Sequence, residues 1–182
     1  MKKIFTFFAA AAVSLAAMAT DYTGKITVTI NNEPTTQDAT ITILPNEDGS
    51  TYKLSINNFR LSTNGTTIDV GNIVVDNLKG YTITGMTTVV ADEKITIQDG
   101  TDPSVPMWYG PYLGEVPIVM TAQFNGTKAK ADIDIDMRSS IHQFINVVFA
   151  TPNYDGVYGD VNGDGTVTSN DVTAIYNIML SD

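Results

Sequence analysis

The chain has 182 residues, no cysteine and one histidine, and its 20 acidic and 10 basic side chains give a net charge of -10. Disulfides, thiol nucleophiles, thiolate metal sites and lipidation through cysteine are excluded, and so acidic a chain is a poor partner for nucleic acid or anionic membrane. The length allows one domain of ordinary size and a small appendage.

Met1 to Ala19 opens with Lys2 and Lys3, continues as an apolar run from Ile4 to Met18, and closes on Ala17-Met18-Ala19. This is the pattern of a secretory signal peptide, with cleavage expected after Ala19. A membrane span needs about 20 strongly apolar residues. The run is shorter than that and is interrupted by Thr6 and Ser14, so no membrane insertion is expected. The protein is expected to be secreted, periplasmic or associated with the cell surface.

From Thr23 to Ala150 the hydrophobic period is two. Ile26, Val28 and Ile30 alternate with Lys25, Thr27 and Thr29, and Tyr52, Leu54 and Ile56 alternate with Thr51, Lys53 and Ser55. Each set reads as a strand with one wet face. Between them Pro45-Asn46-Glu47-Asp48-Gly49-Ser50 is a turn by composition. Further strands are predicted at Thr66 to Asp76, Tyr81 to Val90, Lys94 to Gln98, Val116 to Phe124, Thr127 to Met137 and Phe144 to Phe149. Asn125-Gly126 lies between two of these and marks a hairpin. The fold class is all-β with about eight strands, arranged as a sandwich or an up-and-down barrel. Meander order with short turns favours the barrel, because closure removes the edges through which an exported sheet would aggregate. Over about Asp21 to Ala150 the strand order resembles the calycin-like, lipocalin-like barrels of bacterial exported proteins.

The composition changes after Ala150. Residues 151–158 form a linker rich in turn formers, and from Asp155 onward the chain has acidic residues and no basic one. Residues 159–182 are expected to be a separate calcium-binding unit. With Asp160 as position 1 of a loop, oxygen donors fall at positions 1, 3, 5, 9 and 12, glycine at 6 and an apolar residue at 8. Calcium takes six to eight oxygens at about 2.3 to 2.6 Å, so alternate side chains of a curled loop must converge on it. Asp160, Asn162 and Asp164 would donate side-chain oxygens and Thr166 its carbonyl. Thr168 would act through water, and Asp171 would close the shell from the following helix. That helix is marked by Val172, Ile175, Tyr176 and Met179 at helical spacing, with Thr168 or Ser169 as its cap.

No helix of comparable length precedes the loop, and position 12 is aspartate instead of glutamate. In both respects Asp160 to Leu180 resembles a single dockerin repeat, a half-dockerin. The resemblance implies bound Ca2+ and calcium-dependent docking onto a cohesin-type or other cell-surface protein. It also implies that Ser169 and Asn170, at loop positions 10 and 11, contribute to the partner surface.

Asp132, Asp134 and Asp136 share a strand face with Lys128 and Lys130 and are expected on the solvated outside. His142 has no serine or carboxylate constellation marked by spacing, so a structural or surface role is expected. Trp108, Tyr109 and Tyr112, set among Pro103, Pro106, Pro111 and Pro117, form a rigid aromatic segment. It can hold a sugar or a small apolar ligand at a barrel mouth, or it can plug the barrel end. Three functions follow: a non-catalytic exported binding module with a calcium-dependent docking tail, a barrel stabilised by a calcium clip that binds no partner, or a glycan-active enzyme. The enzyme needs two carboxylates facing a cleft, about 5 to 10 Å apart.

Overall fold

The structure, a computed structural model, describes residues 18–47, 49–63, 65–83, 85–139, 141–152, 154 and 167–180. Alternation dictates its first strand. In β1 (Thr20–Ile30) Tyr22, Ile26 and Val28 are buried while Asp21, Thr23 and Lys25 face solvent. Asn31 and Asn32 follow with φ of 52° and 65°, a left-handed pair that asparagine tolerates and a tight hairpin requires. They turn the chain into β2 (Glu33–Pro45). The turn predicted at Pro45 to Ser50 connects β2 to β3 (Thr51–Thr63), with the Asn46 N–H donating to the Thr51 carbonyl at 2.8 Å. β4 (Thr66–Ile83), β5 (Met86–Thr96), β6 (Glu115–Phe124), β7 (Ala129–Met137) and β8 (Gln143–Ala150) complete the set.

Each strand pairs antiparallel with the next, and β8 returns to β1 with Ala150 opposite Lys25 and Ile145 opposite Ile30. The result is a closed eight-stranded up-and-down barrel; the sandwich is excluded. Gly24 stands at this seam, where a Cβ would lie 2.1 Å from the Ala150 carbonyl oxygen. Ile26, Ile41, Leu54, Val75, Val89, Met120, Ile133 and Phe149, one from each strand, are buried in one apolar cluster. Eight strands enclose a space that side chains can fill, and burying each large apolar side chain contributes about 1.5 to 3 kcal/mol.

Several strand boundaries differ from those predicted. The segment from Tyr81 to Val90 is two strands, broken between Ile83 and Met86, where Gly85 has φ 84°. The hydrophobic alternation runs through the break, so it gives no sign of it. The strand expected at Lys94 to Gln98 is the end of β5, and the one expected at Thr66 to Asp76 continues to Ile83. β2 was not predicted as a strand because its first half shows little apolar alternation: Thr35, Gln37 and Ala39 are its half-buried side chains. Asn125-Gly126 does mark a hairpin, but the connection is four residues long and the Asn125 side chain holds it, its Oδ1 accepting from the N–H groups of Thr127 at 3.0 Å and Lys128 at 2.9 Å.

The wall is not uniformly laced. β3 and β4 pair from Thr51 and Lys79 out to the tip at Thr63 and Thr66. The β2–β3 ladder covers only Thr42–Pro45 with Tyr52–Ser55. The β4–β5 ladder covers only Gly80–Ile83 with Met86–Val89, and one further bridge joins Asn72 to Gln98. Bulges explain the divergence. Asn58 (φ 51°), Gly71 (φ 125°) and Asn77 (φ 56°) lie in or beside the register shifts of the ribbon, and a bulge bends and twists the strand that carries it. The outer half of the β3–β4 ribbon is therefore tied to its neighbours largely through side chains. The Gln37 carboxamide does this work toward β2, donating to the Arg60 carbonyl at 2.5 Å and accepting from the Ser62 N–H at 2.9 Å.

After β8 the chain is stitched to the barrel: the Thr151 N–H donates to the Ala129 carbonyl at 2.9 Å and the Tyr154 hydroxyl bonds Gln123 Oε1 at 2.8 Å. A helix, α1 (Ser169–Leu180), follows.

Candidate functional site

The connection between β5 and β6, residues 97–114, lies at the barrel end that also carries the β1–β2, β3–β4 and β7–β8 turns. It is fixed to β4 by backbone: the Tyr109 N–H donates to the Asp69 carbonyl at 2.8 Å, and Asn72 and Gln98 exchange bonds at 2.8 and 3.0 Å. Asn58 adds side-chain ties, its Oδ1 accepting from the Thr101 N–H at 2.6 Å and its Nδ2 donating to the Thr101 hydroxyl at 3.1 Å.

Arg60 is the charged centre of this end. Its Nη2 meets Asp102 Oδ2 at 2.8 Å. Its Nε lies 2.9 Å from Asp69 Oδ1 without the alignment of a hydrogen bond. Its guanidinium stands 5.8 Å from the Trp108 ring centre, a cation–π distance. The Ser104 hydroxyl and N–H, and then the charge of Arg60, hold the Asp102 carboxyl below the usual carboxylate range.

The three aromatic residues singled out in the sequence are divided by this packing. Trp108 is only 6% exposed, packed so closely on Gly100 that a Cβ there would lie 2.2 Å from the indole. Trp108 is thus packed into the β5–β6 connection. Tyr112 is 77% exposed and Tyr109 about half so, beside Met107 and Leu113 on the 3-10 turn Gly110–Leu113. A rigid turn thus presents two phenol rings and two apolar side chains to solvent. Arg60 and its two aspartates were not singled out in the sequence. They are distant along the chain, and no local pattern links them.

In the tail, Asp160, Asn162, Asp164 and Thr166 lie outside the described residues. The end of the motif is described. Thr168 caps α1, its hydroxyl accepting from the Asn170 N–H at 3.1 Å, while Asp171 Oδ2 accepts from the Thr168 N–H at 2.6 Å. The bond from Asp171 back to the N-cap N–H is one half of a capping box, with aspartate in place of glutamate, while the Thr168 hydroxyl serves the second residue of the helix instead of the third. Asp171 is 1% exposed, whereas Ser169 and Asn170 beside it face solvent. Among the described residues no group of three or more acidic or histidine side chains is placed to hold a metal, and no helix is long and apolar enough to cross a membrane.

Of the remaining candidates, Asp134 and Asp136 are exposed and Asp132 is half-buried. Asn146 Nδ2 bridges Asp132 and Asp134 at 3.0 and 2.9 Å on the outer face. His142 sits exposed with φ 57° in the β7–β8 connection. The buried polar side chains among the described residues are Thr87, Thr88, Thr151 and Asp171, so no two carboxylates converge in the described interior.

The family profile of the calycin-like beta-barrel domain matches residues 18–151, the span of all eight strands. The chain belongs to the calycin-like β-barrel family. A crystal structure from Bacteroides fragilis NCTC 9343, of a protein provisionally described as an outer membrane protein, superposes on this calycin-like chain with a TM-score of 0.51 at 12% sequence identity. The alignment covers 73% of this chain and 50% of that one, so the chain spans about half the length of that protein, and the likeness is one of fold. No curated protein matches the sequence.

Proposed function

We propose that this calycin-like protein is an exported, non-catalytic binding module whose C-terminal tail is a calcium-ordered, dockerin-like docking unit. The observation that carries the proposal is the spacing of Asp160, Asn162, Asp164, Gly165 and Asp171: the last of these is a carboxylate turned back over the first turn of a helix and almost wholly buried. Position 12 of a calcium loop is the place of a carboxylate ligand that closes the shell. Ser169 and Asn170 are exposed beside it and form the candidate partner surface for a cohesin-type or other cell-surface protein. At the far end of the barrel, Tyr109 and Tyr112 are the side chains available to stack on a sugar or a small apolar ligand. Export is supported by the Met1 to Ala19 pattern and by the start of β1 at Thr20, directly after the expected cleavage point.

Calorimetric titration with calcium tests the proposal. The full chain is expected to bind one equivalent, and Asp160→Ala and Asp171→Ala are each expected to weaken binding at least tenfold, a change of about 1.4 kcal/mol. Absence of a binding heat, or identical isotherms for the three proteins, would refute the calcium claim. A second reading, that the tail is a clip for the barrel, is favoured by the bonds of Thr151 and Tyr154 to the barrel. Calcium-dependent retention of a surface protein that is lost on substituting Ser169 and Asn170 would separate docking from the clip.

A further inference from the structure

The gap in the β4–β5 ladder lies beside one residue that breaks the burial pattern of its strand. β5 keeps an unbroken register with β6, placing Ala91 opposite Met120, Glu93 opposite Ile118 and Ile95 opposite Val116. Met120, Ile118 and Val116 are all buried in the barrel core, so the Cβ of Glu93 is on the inner face of the sheet. Its parity neighbours behave accordingly: Val89 and Ile97 are buried, and Ala91 and Ile95 pack against the core. Glu93 alone in this row is exposed. This exposed carboxylate on an inner-face position lies beside the stretch where no ladder joins Ile73–Lys79 to Val90–Ile97. That stretch is roughly 20 Å long at about 3.3 Å per residue.

We propose that this seam is a lateral binding site for an amphiphilic cation, a protonated amine carrying an apolar tail. Glu93 has no partner among the described residues, whereas Lys94 on the outer face is engaged by Glu115 at 3.0 Å. The ammonium group sits on Glu93 and on backbone carbonyls of β5 that lack a ladder partner. The tail lies along Ala91, Ile95 and Ile73, which are partly buried side chains already packed on the core. The net charge of -10 favours a cation over an anion of the same shape. The bulge at Asn77 and the close approach of Gly71 to the Gln98 carbonyl, where a Cβ would come within 2.2 Å, fix the two ends of the opening.

Octylammonium and octanoate, matched in tail and opposite in charge, test the site by titration calorimetry against the full chain near neutral pH. Octylammonium is expected to bind and octanoate is not. Glu93→Gln keeps the shape of the side chain and is expected to weaken octylammonium about fivefold. Asp92→Asn, on the outer face of the same strand, is expected to leave it unchanged. Equal binding of octanoate, an unaltered affinity in Glu93→Gln, or an equal loss in Asp92→Asn would each overturn the assignment. The tail motif is untouched by these variants, so the result is independent of the calcium proposal.

Discussion

Single residues set both the acid response and the shape of the wall. Asp136 lies beside Arg138, with oxygen-to-nitrogen distances of 2.8 and 2.6 Å, and these bonds pull its carboxyl from 3.8 down to about 2. A carboxylate whose folded value is depressed stabilises the fold above its unfolded value and loses that contribution as pH falls through the folded one. The pair therefore contributes at neutral pH, and the contribution disappears between about pH 3.8 and 2. Asp136→Asn is expected to flatten the stability profile in that window, as followed by denaturant unfolding at stepped pH. An equally steep fall in the variant would show that Arg138 confers nothing. Legibility also differed residue by residue. Parity alone places Glu93 on the apolar face of its strand, so its anomaly is present in the sequence, whereas the ladder gap beside it goes with bulges at Asn58, Gly71 and Asn77 that alternation does not report. Arg60 and Trp108 meet only because the β5–β6 connection folds back across β4.

Among the elements, the β3–β4 ribbon is expected to be the least protected part of the barrel. β6 is laddered on both sides, to β5 from Thr87 to Thr96 and to β7 from Ala129 to Ile135. The outer half of the ribbon instead depends on the Gln37 carboxamide, the Asn72–Gln98 bridge and the contacts of Arg60 and Asn58. Hydrogen exchange follows local opening where such bonds are few. Amides of residues 58–62 are expected to exchange faster than those of β6, and Gln37→Ala is expected to speed Ser62 further while leaving β6 unchanged. Uniform protection across both would refute a ribbon held by side chains. Strand existence was largely legible because period-two burial is strong in β1, β3, β6 and β7. The turn at Gly85 was not, since β-branched and apolar residues continue on both sides of it.

For the whole molecule, the barrel followed from two physical facts visible in the chain: alternating strands in meander order, and the need of an exported sheet to hide its edges. Gly24 lets the last seam close against the Ala150 carbonyl. The tail follows a different rule. A helix of about a dozen residues is marginal by itself, so calcium is expected to order it. At free calcium about 100-fold above the dissociation constant the bound form gains roughly 2.7 kcal/mol. Scanning calorimetry is expected to show a transition of the tail that moves upward in calcium and is abolished by chelator, while the main barrel transition shifts little. A single transition that ignores the ion would refute this.

β8 leaves the barrel at the rim where β1 enters, and Tyr109 and Tyr112 stand at the opposite rim. A molecule held at the barrel end where β8 exits would present the phenol rings from the other end, like a reading lamp clamped at its foot. The height of the rings above that end is then set by strand length, and shortening the strands would lower the lamp without dimming it.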